Sequence, residues 1–268
     1  MSRDGEAYIP RELVDRVIDS ASSDVVLVGG QALAYWMDYY RIAHPTNLPA
    51  ISRDVDFFTR DPANAAPLTR FARAIRGRKE VLPASAISAL VGSAIAPAGD
   101  ERIYNVDLLH SVVGIERADV EAKAVDVTLP GGKAIRIMHP LHVLQSRNAN
   151  LHKLVEKQDD MGQLQFSLAI GVARAFLEQQ LDRLAHDASL PAKERDRAEL
   201  DLIGVVVDYA SDDAARKNAE RYGIFLADAI PAWRIGSPAF WKKQWPHLRQ
   251  RMSPDYALEC ERLAKVSG

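Results

Sequence analysis

Asp54 and Asp56 stand one residue apart in the segment Ser52-Arg53-Asp54-Val55-Asp56-Phe57-Phe58. The apolar residues around them read as a strand over 54–59, and side chains at i and i+2 of a strand leave on the same face. Two carboxylates side by side repel unless a cation neutralises them, so the pair has the character of a divalent-metal ligand set. A third acid, Asp107, sits in Ile103-Tyr104-Asn105-Val106-Asp107-Leu108-Leu109-His110, a strand-like run in which a lone carboxylate needs a partner to be buried. Upstream, the apolar run Val25–Val28 meets Gly29-Gly30. A strand that opens a helix through a glycine turn offers backbone N–H groups to phosphate oxygens. A phosphate cradle beside clustered carboxylates suits a nucleoside triphosphate, because two metals about 4 Å apart can clamp the attacking and leaving oxygens of an in-line phosphoryl displacement.

The elements that must position these residues follow from hydrophobic periodicity. Leu13, Val14, Val17, Ile18 and Ala21 have helical spacing after Pro10 and predict a helix over Arg11–Ala21. Strand 24–28 and helix 31–40 follow, the latter with a Leu33, Trp36, Met37, Tyr40 stripe that reads as core. Residues 41–50, with Pro45, Asn47 and Pro49, predict a loop beside the acids that could close over a ligand. Residues 62–76 read as loop and helix. Ile87–Ile95 and Arg102–His110 predict a hairpin turning at Pro97-Ala98-Gly99-Asp100, which would bring Asp107 beside the 54–56 strand. Ala124–Leu129 and Ala134–Met138 predict a second hairpin around Gly131-Gly132, a turn rather than another phosphate loop. From Pro140 the pattern becomes helical: Leu141–Lys157, Gln163–Ala185, Ala192–Tyr209 and Asp213–Leu226.

The order strand, Gly-Gly, helix, then Ser-x-Asp-x-Asp on a strand, then a lone strand Asp resembles the nucleotidyltransferase fold of the DNA polymerase beta superfamily. The Ser-Arg-Asp-Val-Asp-Phe segment is most similar to minimal nucleotidyltransferases of the AbiEii and MNT type, many of which act as toxins of toxin–antitoxin pairs. The resemblance covers residues 10 to 165. It implies an α+β fold: a nucleotidyltransferase-type mixed β-sheet with flanking helices over residues 1–139, followed by a C-terminal helical bundle over 140–268. It implies that Gly29 and Gly30 line the triphosphate of an NTP, that Asp54, Asp56 and Asp107 hold two Mg²⁺ ions, and that Asp107 helps to deprotonate an acceptor hydroxyl. Ser52 matches a frequent serine of the family and would touch the γ-phosphate. Arg147 stands where relatives place a lysine after His139-Pro140, as a further nucleotide-binding residue, and Gln31 where AbiEii relatives often have threonine. The acceptor implied is a tRNA, a protein hydroxyl or a small molecule, and an antitoxin is an implied partner.

Composition narrows the alternatives. The 268 residues are 47% hydrophobic and 26% charged with a formal net charge of −2, a globular composition without a global field for nucleic acid. The single cysteine, Cys260, rules out an internal disulfide framework and a cysteine-based zinc cluster, and reads as a semi-buried helix residue. No secretory pattern opens the chain and no apolar stretch reaches the roughly 18 residues that span a bilayer, so a cytoplasmic protein without membrane partners is expected. His139 and His142, at i and i+3, lack a third ligand nearby and make a poor zinc site; His44, His110 and His152 are scattered. Trp233, Trp241 and Trp245, interleaved with Arg234, Lys242, Lys243, Arg249 and Arg251, are expected to pack inward while the cations stay wet. The alternative for that segment is an RNA-gripping surface. For the chain as a whole, the alternative is a catalytically inactive nucleotide-binding or partner-binding module on the same fold.

Overall fold

The computed structural model describes residues 5–43, 51–83 and 85–267. The loop expected over 41–50 therefore lies, from residue 44 on, outside the described residues, as does His44. The chain divides into two compact units, Met1–Ser146 and Arg147–Gly268. No helix among the described residues is long and apolar enough to cross a membrane.

The first unit is α+β. Its elements in chain order are α1 (Arg11–Ser20), β1 (Val26–Val28), α2 (Gly29–Tyr39), β2 (Val55–Phe58), α3 (Ala66–Ala74), β3 (Arg78–Val81), β4 (Leu90–Gly99), β5 (Arg102–Leu109), α4 (Arg117–Ala122), β6 (Val125–Thr128), β7 (Ala134–Ile137) and α5 (Pro140–Lys153). The unit boundary falls inside α5. The strands form one seven-stranded mixed sheet in the order β3-β4-β5-β2-β1-β7-β6. β1 runs antiparallel to β2 and parallel to β7, while β2 runs parallel to β5.

Position in the sheet explains each strand's composition. β1, paired on both sides, is buried at every residue, as a continuous apolar run requires. β3 lies at the edge, with every residue exposed and the sequence Arg-Lys-Glu-Val. Its charges suit an edge that must not pair with other chains, and its lack of apolar alternation hid it from sequence reading. The β4–β5 hairpin differs from expectation: the strand runs on through Pro97 to Gly99, and the turn falls at Asp100 and Glu101, with φ of 49° and 60°. Two left-handed central residues give the turn twist that matches paired strands. Pro97 is tolerated because β3 pairs β4 only from Gly92 to Ile95, leaving no ladder partner on that side for the missing N–H. The second hairpin forms where expected, between β6 and β7.

One sheet face is apolar and packs on α3. The ring of Phe57 stacks on Phe71 of α3, with centroids 4.5 Å apart at 19°, and Phe57, Phe71, Leu68 and Leu108 are all fully buried. Residues alternate across a strand, so this packing turns Asp56, next to Phe57, to the opposite face.

The second unit is helical: α6 (Asp160–His186), α7 (Ala192–Ser211), α8 (Asp213–Tyr222), the short α9 (Trp245–Leu248) and α10 (Pro254–Ser267). Asp159 caps α6 by accepting from the Gly162 N–H at 2.8 Å, which starts this helix earlier than its apolar pattern shows. α8 stops at Tyr222, short of the expected Leu226, because Gly223 turns left-handed (φ 66°) and its N–H closes on Ala219, the usual glycine helix stop. Residues 226–237 carry two single turns, and 238–251 form one continuous helical run that widens to a π-helix over Phe240–Gln244 and tightens over Arg249–Arg251. Trp245 is buried and donates to Glu261 (3.1 Å), Trp233 and Trp241 are half-buried with Trp241 donating to the Ile235 carbonyl (3.0 Å), and Lys242 and Lys243 remain exposed. Cys260 is fully buried in α10.

Phe71→Ala should cost about 3–5 kcal/mol, measured by urea unfolding, because it removes the ring that seats the acid-bearing strand.

Candidate metal centre

Pairing register brings the acids together. Asp56 lies opposite Val28 across the β1–β2 pair and opposite Asp107 across the parallel β2–β5 pair. Neighbouring strands are about 4.8 Å apart, so Asp56 and Asp107 stand side by side on one face, and Asp54, two residues earlier, joins them. Oxygens of Asp54, Asp56 and Asp107 all lie within 4.8 Å of one another. Among the described residues this is the only group of three or more acids, histidines or cysteines close enough to share a cation.

Each carboxylate is held by its own neighbours. Asp54 is 2% exposed; Ser52 Oγ donates to its Oδ1 at 2.7 Å, and Gln31 Nε2 donates to its backbone carbonyl at 3.3 Å. Ser52, expected at a γ-phosphate, thus makes its observed hydrogen bond to Asp54. Asp107 Oδ1 accepts from Ser93 Oγ (2.6 Å), directly across the β4–β5 pair, and from Asn105 Nδ2 (2.9 Å), two residues back on the same face. The same Asn105 nitrogen donates to Glu6 Oε1 at 3.3 Å. Glu6 arrives on the segment 5–9, tied to β5 through Ala7 N–H and the Ile103 carbonyl (2.9 Å) and to the acid strand through Ile9 N–H and the Arg53 carbonyl (3.0 Å). Burial raises the Asp107 carboxyl to about 6, opposed by the Ser93 and Asn105 hydrogen bonds and reinforced by the charges of Asp54 and Glu6.

The glycine pair has a steric task at this site. Gly29 has φ 67°, and a Cβ there would lie 2.0 Å from Asp56 Oδ2; a Cβ on Gly30 would lie 2.3 Å from Ser52 Cβ. Only glycines let the start of α2 sit directly against the acid strand. That placement also points the positive end of the helix dipole at the carboxylates.

Arg147 belongs to the second unit, is 5% exposed, and donates to Gln165 Oε1 at 3.0 Å. His139 and His142 sit 5.9 Å apart between ring centroids. Burial, helped by His142, lowers His139 to about 4, and burial also lowers His142; both favour neutral rings. His110 bonds the Ser88 carbonyl at 2.7 Å. Glu6, Ser93 and Asn105 were missed by sequence reasoning. Asn105, at i−2 from Asp107, carried a legible signal; Glu6 and Ser93 reach the site only through strand pairing.

The donor set is oxygen-only, with Asp54 buried and Asp56 and Asp107 half-buried. It fits a hard divalent ion such as Mg²⁺. No protein-family model matches the sequence, and no curated protein matches it either.

Two outcomes test this geometry. Gly29→Ala should destabilise the fold by more than about 2 kcal/mol, since it combines a left-handed backbone with a collision at Asp56. In the presence of chelator, the raised Asp107 pKa makes the folded state bind its proton more tightly than the unfolded chain. Its contribution to stability is therefore fully present below the unfolded pKa of roughly 4 and is lost as pH rises through about 6. Melting temperatures measured from pH 4 to 7.5 should show this slope in the native protein and lose it in Asp107→Asn.

Proposed function

We propose that this chain is a Mg²⁺-dependent nucleotidyltransferase that moves NMP from an NTP to an acceptor hydroxyl, with a nucleotidyltransferase-type fold in its first unit. The observation that carries the reading is the meeting of Asp54, Asp56 and Asp107 within 4.8 Å beside a helix that opens on Gly29 and Gly30. Three carboxylates this close, one buried and two half-buried, repel one another, and a divalent ion shared among them relieves that cost. A helix N-terminus at the same place supplies what a triphosphate needs in addition.

The residues take distinct parts in this reading. Backbone N–H groups at the start of α2 hold phosphate oxygens. Asp54, fixed by Ser52 and Gln31, and Asp56, fixed against Gly29, bind the cations. Magnesium supplies charge neutralisation for the phosphates and acidifies the acceptor hydroxyl when bound. The acceptor oxygen bonds to the α-phosphorus as the bond to the bridging β-oxygen breaks, so pyrophosphate leaves and NMP stays on the acceptor. Asp107 completes the cation site and takes the acceptor's proton as the hydroxyl is acidified. Most of the acceleration comes from positioning and electrostatics.

Incubating the purified protein with each α-labelled NTP, Mg²⁺ and total cell extract should transfer label to a discrete acceptor. Asp54→Asn and Asp56→Asn should each lower transfer about 100-fold or more while circular dichroism stays native. Transfer that persists unchanged in both variants, or no transfer with any NTP, would remove this assignment.

A further inference from the structure

Helix α2 does more than present its first turn to the acids. Gln31, Tyr35 and Tyr39 follow one another at four-residue intervals and so share one helix face. The first of them touches the acid strand, Gln31 Nε2 donating to the Asp54 carbonyl at 3.3 Å. The other two continue the stripe outward as rings: Tyr35 and Tyr39 lie 6.4 Å apart between centroids at 23°. Tyr39 is 51% exposed.

Its neighbours hold this ring in place. Trp36, itself 3% exposed and tied by Nε1 to the Met138 carbonyl (2.8 Å), meets Tyr39 edge-on at 5.5 Å. Tyr40 meets it edge-on at 4.9 Å. A ring held between near-perpendicular neighbours yet about half exposed is a pre-set platform, because little rotamer freedom is left to lose when something flat settles on it. Nucleobases are flat, offer a π-face whatever their identity, and stack on such rings.

We infer that Tyr35 and Tyr39 form a nucleobase-stacking surface continuous with the carboxylate cluster through Gln31. The inference rests on the nucleotidyltransferase reading and deepens it. The base belongs either to the donor NTP or to the terminal nucleotide of a single-stranded acceptor, and the same ring chemistry serves both. An acceptor base on this surface would identify the acceptor as a nucleic acid rather than a protein.

The test compares native protein, Tyr39→Ala, Tyr35→Ala and Tyr39→Phe for equilibrium binding. One arm uses a non-transferable ATP analogue with Mg²⁺ and, as control, ribose triphosphate lacking a base. The other uses a labelled single-stranded oligoribonucleotide and the same oligomer with an abasic 3′ end. The two alanine variants should weaken one base-bearing probe roughly tenfold, leave the base-less controls unchanged, and identify the source by the arm affected. Tyr39→Phe, which keeps the ring, should bind as the native protein does, and alanine keeps the helix. Native-like binding of both probes by the alanine variants would overturn the inference, as would equal loss of the base-less controls or no binding by the native protein. Label transfer run alongside separates the two claims. If the native protein transfers label while tyrosine variants bind normally, this inference alone falls; if it transfers none, the nucleotidyltransferase reading falls first.

Discussion

Three like charges held within a few ångströms at one face of a mostly buried sheet set the terms for the first unit. In a medium of low polarisability such charges repel strongly and lose hydration. Dipoles of the surrounding chain meet these charges: Ser52 on Asp54, Ser93 and Asn105 on Asp107, and the start of α2 beside Asp56. None of these neutralises the cluster. They fix the direction of each carboxylate and leave its charge in place, which is what a cation site needs and a merely tolerated buried acid does not. Glu6 intensifies the same field, since it shares the Asn105 amide with Asp107 and further raises its proton affinity.

That field also explains the glycines. Gly-Gly after an apolar strand has an obvious reading as a phosphate cradle, and the steric one is independent of any ligand: a Cβ on either residue would strike Asp56 or Ser52. Both readings require the same backbone, because a helix start close enough to favour the carboxylates is close enough to touch whatever they bind. Ser52 shows the same economy. Its hydroxyl proton points to Asp54.

How much was legible in the sequence follows from which interactions are local. β1, α2, β2 and the β6–β7 hairpin show in apolar period and turn residues, and the i, i+2 spacing of Asp54 and Asp56 fixed their common face. Asp107 was recognisable as an acid out of place in an apolar run, yet its placement opposite Asp56 is a product of parallel pairing between strands distant in sequence. Nothing in residues 78–81 or 117–122 announces β3 or α4, one a charged edge strand and the other a helix too short for a period. Residues 226–237 and their junctions gave no signal for another reason. Their irregular turns are held by buried polar contacts within the second unit, Glu199 accepting from the Gly236 and Ser237 N–H groups (3.1 and 3.2 Å) and Asp228 accepting from Ser253 N–H and Oγ (2.9 and 2.6 Å), and such pairings leave no periodic trace.

A cluster that repels itself is a standing cost to the metal-free fold, and the opposite face of the same sheet offsets it. β2 carries both functions on alternate residues: Asp56 faces the cluster, while Phe57 faces α3 and stacks on Phe71. The two cannot be separated by sliding the strand, because a shift of one residue would bury the acids among the rings and expose the rings beside the acids. The cost of burying a charge therefore outweighs carboxylate repulsion in setting register: a one-residue slip places a charge in the apolar layer, at a cost larger than the repulsion it would relieve. The acid site is thus a source of specificity for the sheet as well as a burden on its stability, and the balance shifts further toward the native pairing whenever a cation occupies the acids.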